Sequence, residues 1–427
     1  MPRRTIDVDE RLPLLQTLPL SLQHLFAMFG ATVLVPFLLH VNPATSLLMN
    51  GVGTLLYLWI CRGRVPAYLG SSFAFIGPVL AVMARPGLGG YAAAQGGFIA
   101  FGLFFVLMSQ VVRVAGTAWI DILFPPAAMG AIVAVIGLEL APVAAGMAGL
   151  TGPAAAPFTH GSALAVSLAT LGLTILFSVL LRGFWGVIPV LLGVAGGTLF
   201  ALALGKVDVA AIAAAPWLHA PALYRPAFSP QAILMILPAA LVVLAEHIGH
   251  LVVTGNIVGR DLVKDPGLHR SLLGDGLSNI LSGFTGATPN TTYGENIGVM
   301  AITKVYSVWV IGGAAVIAIL VSFVGKAAAA IRAIPVPVMG GVCLLLFGVI
   351  AAAGIRMLVE RQVDYTKPRN LVLTSVVLVS GVSGAALHLG SVELKGMALG
   401  TVVALALSLV FWGFDRLGLS NDLDPQA

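Results

Sequence analysis

Apolar runs of about 20 residues recur along nearly the whole chain, each long enough to cross a bilayer core of roughly 30 Å as a helix. Charge is correspondingly scarce. Only 9% of residues are charged and 59% are hydrophobic, whereas about a quarter of a soluble domain is charged. The expected fold class is an all-α polytopic membrane protein with no room for a sizeable soluble domain. The opening stretch, MPRRTIDVDERLPLLQ, lacks the hydrophobic region and small-residue cleavage site of a signal peptide. The 50 glycines and 25 prolines suit close helix packing and broken helices. Cys61 and Cys343 both fall in apolar runs, so neither a disulfide nor a metal framework is expected.

Fourteen segments can be drawn, at 18–39, 43–61, 72–84, 91–112, 120–140, 160–181, 184–204, 229–256, 270–284, 288–303, 305–324, 335–355, 369–387 and 394–413. The third, ninth and tenth are short or interrupted. Basic residues test the number. If the chain starts inside and crosses fourteen times, both termini are cytoplasmic. The inside loops, from Arg3 and Arg4 to Arg416, then hold 16 Lys and Arg against 6 outside. The outside set is Arg85, Lys206, Arg225, Lys326, Arg332 and Lys395. This is the direction the positive-inside rule requires, and omitting one segment scrambles it. The net charge of +5 is thus a topology signal. The basic residues form no patch, so no nucleic-acid partner is expected.

Two internal matches suggest a repeat. Ser46-Leu47-Leu48-x-x-Gly51 recurs as Ser271-Leu272-Leu273-x-x-Gly276, and Pro125-x-x-x-Met129-Gly130 recurs as Pro335-x-x-x-Met339-Gly340. Both join segments seven apart. Seven is odd, so the second half enters from the opposite side, and a 7+7 inverted repeat is expected. It pairs segment three with segment ten. Segment ten opens with the polar run Thr288-Pro289-Asn290-Thr291-Thr292-Tyr293-Gly294-Glu295-Asn296, then continues as an apolar helix from Ile297 to Ile302. Segment three opens with Gly70-Ser71-Ser72-Phe73-Ala74-Phe75-Ile76-Gly77-Pro78 and continues apolar to Ala84. Two interrupted segments at corresponding positions of inverted halves point to a transporter binding site near the bilayer midplane. Ser72–Ile76 alternates small and bulky residues and reads as extended. Unwound backbone at that depth must pair or bind ligand, and the two stretches can pair with each other as short strands.

Within the hydrophobic spans the acidic residues are Glu139, Glu246, Asp275 and Glu295. A charge in such a place is costly and is a functional candidate by default. Glu246 lies in Ala245-Glu246-His247-Ile248-Gly249-His250. Glu246 and His250, four apart, share a helix face, with His247 on a neighbouring part of the surface. A carboxylate in a low-dielectric setting takes up a proton more readily, and imidazole titrates near neutrality unaided. Glu246 and His250 are therefore suited to carry a proton; the plain alternative is that they satisfy one another between helices. Glu295, beside unwound backbone, is the stronger site candidate. Glu139, at the outer end of segment five, fits an interfacial carboxylate better than a site. Asp275, opposite Asn50 in the repeat, fits packing or helix breaking at least as well as ligand contact. His24 fits a structural hydrogen-bonder and a member of the proton-carrying group equally. Phe73 either fills space or stacks on a flat ligand.

Several classes recede on this reading. Glu and His four apart can bind zinc, but HExxH is absent and no third ligand cluster stands out, which disfavours an intramembrane metallohydrolase. No P-loop, Rossmann fingerprint or nucleophile elbow stands out. Without a P-loop, uphill transport draws on an ion gradient. A passive channel suits two buried carboxylates and a broken-helix pair less well than a closed site does.

Gln23-His24, Glu246-His247-Ile248-Gly249-His250 and Glu295-Asn296-x-Gly298-x-x-x-x-Thr303-Lys304 resemble the nucleobase–ascorbate transporter family, also called nucleobase:cation symporter-2. Its signature runs Gln, Glu or Pro, then Asn-x-Gly-x-x-x-x-Thr, then Arg, Lys or Gly, and the last run matches it at every specified position. The resemblance covers essentially the whole chain, and the Glu at the first signature position is most similar to the family's bacterial uracil permeases. It implies a core domain (18–114 and 229–324) and a gate domain (119–205 and 335–413), with short antiparallel strands in segments three and ten. It implies an inner-membrane symporter driven by a proton gradient, without a cofactor, and a homodimer formed through the gate domain. By position, Glu246 and Glu295 would bind substrate, Phe73 and Gly294 would offer backbone groups to the base, and Tyr293 would neighbour it. His250 would join the proton network with Glu246, Glu295 and His24. A pyrimidine-2,4-dione suits such a site, because carboxylates accept from ring N–H and backbone N–H serves the carbonyls. Two rivals share the fold. One is a purine (xanthine or urate) transporter. The other is an anion transporter, for which a cationic residue near the ends of segments three and ten is expected where Glu295 stands.

Overall fold

In the computed structural model of the protein, residues 5–389 and 392–420 are described; Arg3 and Arg4 of the charge asymmetry lie outside them. The chain is about 72% helical. Its first part comprises α1 (Leu14–Ala27), α2 (Phe29–Leu38), α3 (Pro43–Ile60), strand β1 (Leu69–Ser71), a 3-10 turn (Phe73–Phe75) and α4 (Ile76–Ala84). It continues with α5 (Gly90–Ala115), α6 (Ala118–Leu123), α7 (Pro126–Glu139), α8 (Ala141–Met147), α9 (His160–Leu180), α10 (Pro189–Ala203) and α11 (Val209–Ala214). Then follow α12 (Pro230–Ile236), α13 (Pro238–Val258), α14 (Leu268–Thr285), β2 (Asn290–Thr292), α15 (Gly294–Thr303), α16 (Val308–Ser322) and α17 (Gly325–Arg332). The chain closes with α18 (Val336–Glu360), α19 (Pro368–Val382), strands β3 (Ala386–Leu389) and β4 (Val392–Lys395), and α20 (Gly396–Arg416).

Among the described residues, seven helical spans are long and apolar enough to cross a membrane, and α10, α16, α19 and the Phe73–Ala84 stretch are shorter apolar helices. Proline and polar caps set many boundaries. Pro238 breaks α12 from α13, because it lacks an N–H and crowds the preceding turn. The Asn42 side chain accepts from Ala44 N to start α3, and Thr159 with Ser162 forms a capping box on α9.

Two helical groups emerge from the packing. α14 lies against α5 and α3, and α16 against α3 and α1. In the other group α18 lies against α7 and α9, α9 against α10, and α19 and α20 against each other and α7. Small residues allow the close approaches: a Cβ on Gly102 would stand 2.6 Å from the carbonyl oxygen of Gly276, and one on Gly276 would stand 2.8 Å from that of Gly102.

Two details depart from the sequence reading, and a third residue gains a partner. The extended stretch of segment three is Leu69–Ser71, starting three residues before the expected Ser72–Ile76. Ser72 N donates to Pro289 O (2.8 Å), and the chain then turns into the 3-10 turn. The segments drawn at 369–387 and 394–413 overrun a β-hairpin, since α19 stops at Val382 and Ala386–Leu389 pairs antiparallel with Val392–Lys395. Finally, Glu139 is half-buried, and its carboxylate accepts from Met397 N (2.8 Å) in the first turn of α20, where the helix dipole favours an anion.

Candidate functional site

The site is built on an antiparallel pair of three-residue strands from distant parts of the chain. Leu69 faces Thr292, Gly70 faces Thr291 and Ser71 faces Asn290. Neighbouring helices supply what so short a ladder leaves unpaired. Thr54 Oγ1 on α3 accepts from Leu69 N (2.9 Å) and donates to Leu69 O (3.4 Å). Asn279 on α14 treats β2 in the same way: its Oδ1 accepts from Asn290 N and its Nδ2 donates to Asn290 O, both at 2.8 Å. The ends are tied by Ser72 N to Pro289 O (2.8 Å) and Tyr293 N to Tyr68 O (3.0 Å). Polar side chains fill the surroundings. Asn50 Nδ2 donates to Ser71 Oγ (3.3 Å), Ser71 Oγ meets Thr288 Oγ1 (2.7 Å), and Thr288 Oγ1 donates to Ser46 Oγ (3.0 Å). All of these residues are buried, so each unmade bond would be costly.

Both strands run straight into helical turns. Phe73 is the first residue of the 3-10 turn and Gly294 the first of α15. The N–H groups of such first turns lack partners within the helix, and they carry the positive end of its dipole. Glu295 sits in the first turn of α15. Its half-buried side chain lies within electrostatic reach of half-buried Glu246. Glu246 is carried by α13, which packs on the 3-10 turn, β2 and α15. On the same face of α13, His250 Nδ1 is 3.2 Å from Thr292 Oγ1. The other ring nitrogen lies close to Gly294, where a Cβ would stand 3.3 Å from Nε2. Phe73 meets Phe347 of α18 edge to face, with ring centroids 5.9 Å apart. Tyr293 lays its buried ring over Gly70 and donates to Ser71 O (2.7 Å).

The structure thus gathers Glu246, His250, Phe73, Tyr293, Gly294 and Glu295 around the strand pair. His24 lies behind α15, buried on α1, with its Nδ1 3.1 Å from Asn296 Nδ2. Sequence reasoning passed over Thr54 and Asn279, although the matched Ser-Leu-Leu-x-x-Gly runs place them at equivalent positions. It also left His247 without a role. That imidazole is wholly buried between Asp275 and Ser271. Among the described residues no group of three or more His, Cys, Asp and Glu is placed to hold a metal ion.

Apolar spanning helices arranged around a broken pair with two half-buried carboxylates have the build of a multi-pass membrane permease. The chain belongs to the permease family that includes the nucleobase–ascorbate transporters, whose model matches residues 15–390. It is similar to the uracil permease of Escherichia coli K12, 64% identical over 411 residues that cover 96% of this chain and 95% of that protein. A uracil permease of Paenibacillus larvae is 59% identical over 427 residues, covering 99% and 100%. One of Bacillus caldolyticus is 48% identical over 421 residues, covering 97% and 96%. As members of a family of permeases, these proteins are transporters rather than enzymes. Among solved structures, the fold is similar to the transmembrane domain of the cyanobacterial bicarbonate transporter BicA (TM-score 0.63, 15% identity, 94% of this chain and 99% of that one). It is also similar to SLC26A9 (TM-score 0.72, 12% identity, 94% and 66%). At such identities the likeness concerns the fold alone.

Proposed function

We propose that this permease imports uracil or a closely related nucleobase together with protons, and binds it where β1, β2 and α13 meet. The observation that carries this reading is the placement of Glu246 and Glu295 on facing elements, α13 and α15, beside the first helical turns that begin at Phe73 and Gly294. A flat pyrimidine-2,4-dione presents two N–H donors and two carbonyls. The carboxylates accept from the ring N–H groups, and the backbone amides donate to the carbonyls. A ligand without those donors leaves a carboxylate unpaired, which rejects it strongly. The names of the relatives support the same substrate class. His250, bonded to Thr292 and beside Gly294, is placed to share a proton with the two carboxylates, with His24 behind them.

The two helical groups correspond to a core domain (18–114 and 229–324) and a gate domain (119–205 and 335–413). The fourteen-segment 7+7 inverted repeat draws support from the matched bracing of Leu69 by Thr54 and Asn290 by Asn279. Both termini are assigned to the cytoplasm, and a homodimer forms through the gate domain. Transport proceeds by movement of the core against the gate, with protonation of the Glu and His group favouring the loaded state.

Uptake of labelled uracil into proteoliposomes, with and without an inward proton gradient, tests this. Wild-type uptake is expected to rise with the gradient. Hydrogen bonds to charged groups contribute about 1.5–3 kcal/mol, so Glu246→Gln and Glu295→Gln should each weaken binding roughly 10- to 100-fold. Normal transport by both variants would place the site elsewhere. Stronger competition by xanthine than by uracil would shift the substrate to the purines.

A further inference from the structure

α13 carries two histidines three residues apart, and only His250 belongs to the site just described. His247 points away from it toward α14 and is wholly buried. Its Nδ1 lies 2.8 Å from Asp275 Oδ2 and its Nε2 lies 2.7 Å from Ser271 Oγ, which in turn meets the Tyr57 hydroxyl at 2.6 Å. The rings of Tyr57 and Phe105 stand edge-on around the imidazole, with centroids at 6.3 and 6.0 Å. Ser, His and Asp in this order have the outline of a hydrolytic triad, but all three side chains are sealed from solvent, so no substrate reaches them.

The connections on the far side of Asp275 give the arrangement its meaning. Asp275 Oδ2 also accepts from Thr291 Oγ1 (3.2 Å), and its Oδ1 accepts from Asn279 Nδ2 (2.9 Å). Asn279 is the residue that brackets Asn290. α13 therefore holds β2 by two routes. His250 reaches Thr292 directly, and His247 reaches Thr291 through Asp275. Glu246 stands beside His247 on one side of this grip, and Glu295 lies three residues beyond Thr292 on the other. We propose that His247 and Asp275 form a positioning pair that fixes the separation of the two substrate carboxylates. A wholly buried polar group that loses its partner is left unsatisfied at a cost, so neither member can readily drift from the other, and β2 keeps its register against α13. This inference rests on the substrate reading above for its transport measurements only.

The test uses the full-length protein carrying His247→Gln, Asp275→Asn, both together, or Thr291→Val. The first readout is the split between KM and maximal rate in uracil uptake, corrected for the amount of folded protein. The second, independent of substrate, is hydrogen exchange at the amides of residues 290–295. A carboxylate moved out of place loses much of its hydrogen bond to the substrate, which is worth roughly tenfold or more in affinity. KM is therefore expected to rise at least roughly tenfold in His247→Gln and in Asp275→Asn, with the maximal rate within about threefold of wild type. The double variant should be no worse than the poorer single, because the two act as a unit. Exchange at 290–295 should quicken about tenfold. A purely structural role would lower the yield of folded protein while the folded fraction kept its KM and its exchange, and that outcome overturns the proposal. If a pair variant fails to fold, Thr291→Val decides: it cuts only the last link, and a wild-type KM and exchange pattern there also overturns it. Wild-type protein that takes up no uracil refutes the substrate reading instead, and the exchange measurement still judges the pair.

Discussion

The crossing of Tyr293 over Gly70 is the most exposed point in the architecture of the site. A methyl group at position 70 would fall inside the Tyr293 ring, against Cε2 and Cζ. The ring is buried and cannot swing outward without abandoning its hydrogen bond to Ser71 O (2.7 Å). Overpacking of this kind costs about 1–3 kcal/mol, and a buried hydroxyl and carbonyl left unpaired cost about 1–3 kcal/mol more. Gly70→Ala should therefore lose about 2–6 kcal/mol. Tyr293 immediately precedes Gly294 and Glu295, so the displacement reaches the proposed ligand contacts directly. Calorimetric binding of uracil by the purified variant is expected to weaken by at least roughly tenfold, with a lowered melting temperature. Tyr293→Phe, which keeps the ring and removes only the hydroxyl, should lose less. The decisive comparison is Gly70→Ala in a Tyr293→Leu background. With the ring gone the added methyl has space, so the two changes should be markedly less than additive. Wild-type affinity in Gly70→Ala, or an equal cost with and without the ring, would refute the steric argument.

Other expectations follow from the same geometry. Thr54→Val keeps the side-chain shape but strips both partners from Leu69, and should cost about 2 kcal/mol of thermal stability; an unchanged melting temperature would show that Leu69 finds other partners. Arg85 at the end of α4 pairs with Glu393 on β4 at 2.6 Å, joining the two helical groups. The pair is partly exposed, at 34% and 25%, so Arg85→Gln should remove at most about 1 kcal/mol. That corresponds to roughly fivefold in a conformational equilibrium, read as faster labelling of a cysteine introduced at Gly77. Labelling at the wild-type rate would mean that the pair holds nothing shut.

The broken pair was legible because its physics is local. Thr288 to Asn296 is too polar for a lipid-facing helix, and an odd-numbered repeat shift leads to Gly70 and its neighbours. Glu246 and His250 were legible for a similar reason, as four-residue spacing on an apolar helix marks a face. The boundary of β1 was missed because side-chain alternation in Ser72–Ile76 mimics a strand, while the pairing is decided by backbone bonds to Pro289 and Tyr293 far along the chain. The role of Asp275 was hidden for another reason. Its partners His247 and Thr291 sit on other elements, and nothing in the spacing of 247, 275 and 291 announces a contact. The β3–β4 hairpin was hidden by its apolar leucines, which extended the neighbouring helical segments.

The strand pair also bears on how the chain is made. Ser71 and Thr288, which meet beside it, are 217 residues apart. At usual elongation rates β1 waits about 10–40 s for its partner strand. During that interval unwound backbone sits in or beside a membrane that cannot hydrate it. The sequence order meets the difficulty, for Thr54 and Asn50 are synthesised just before β1 and already serve Leu69 and Ser71. Asn279 likewise precedes β2 and brackets Asn290 as it emerges. Each strand is thus chaperoned by the helix before it, and only the bonds between the strands are deferred until the second half arrives. Nascent chains halted before Ala287 should hold segment three in place with its cross-strand edge still open, ready to template β2 when translation resumes.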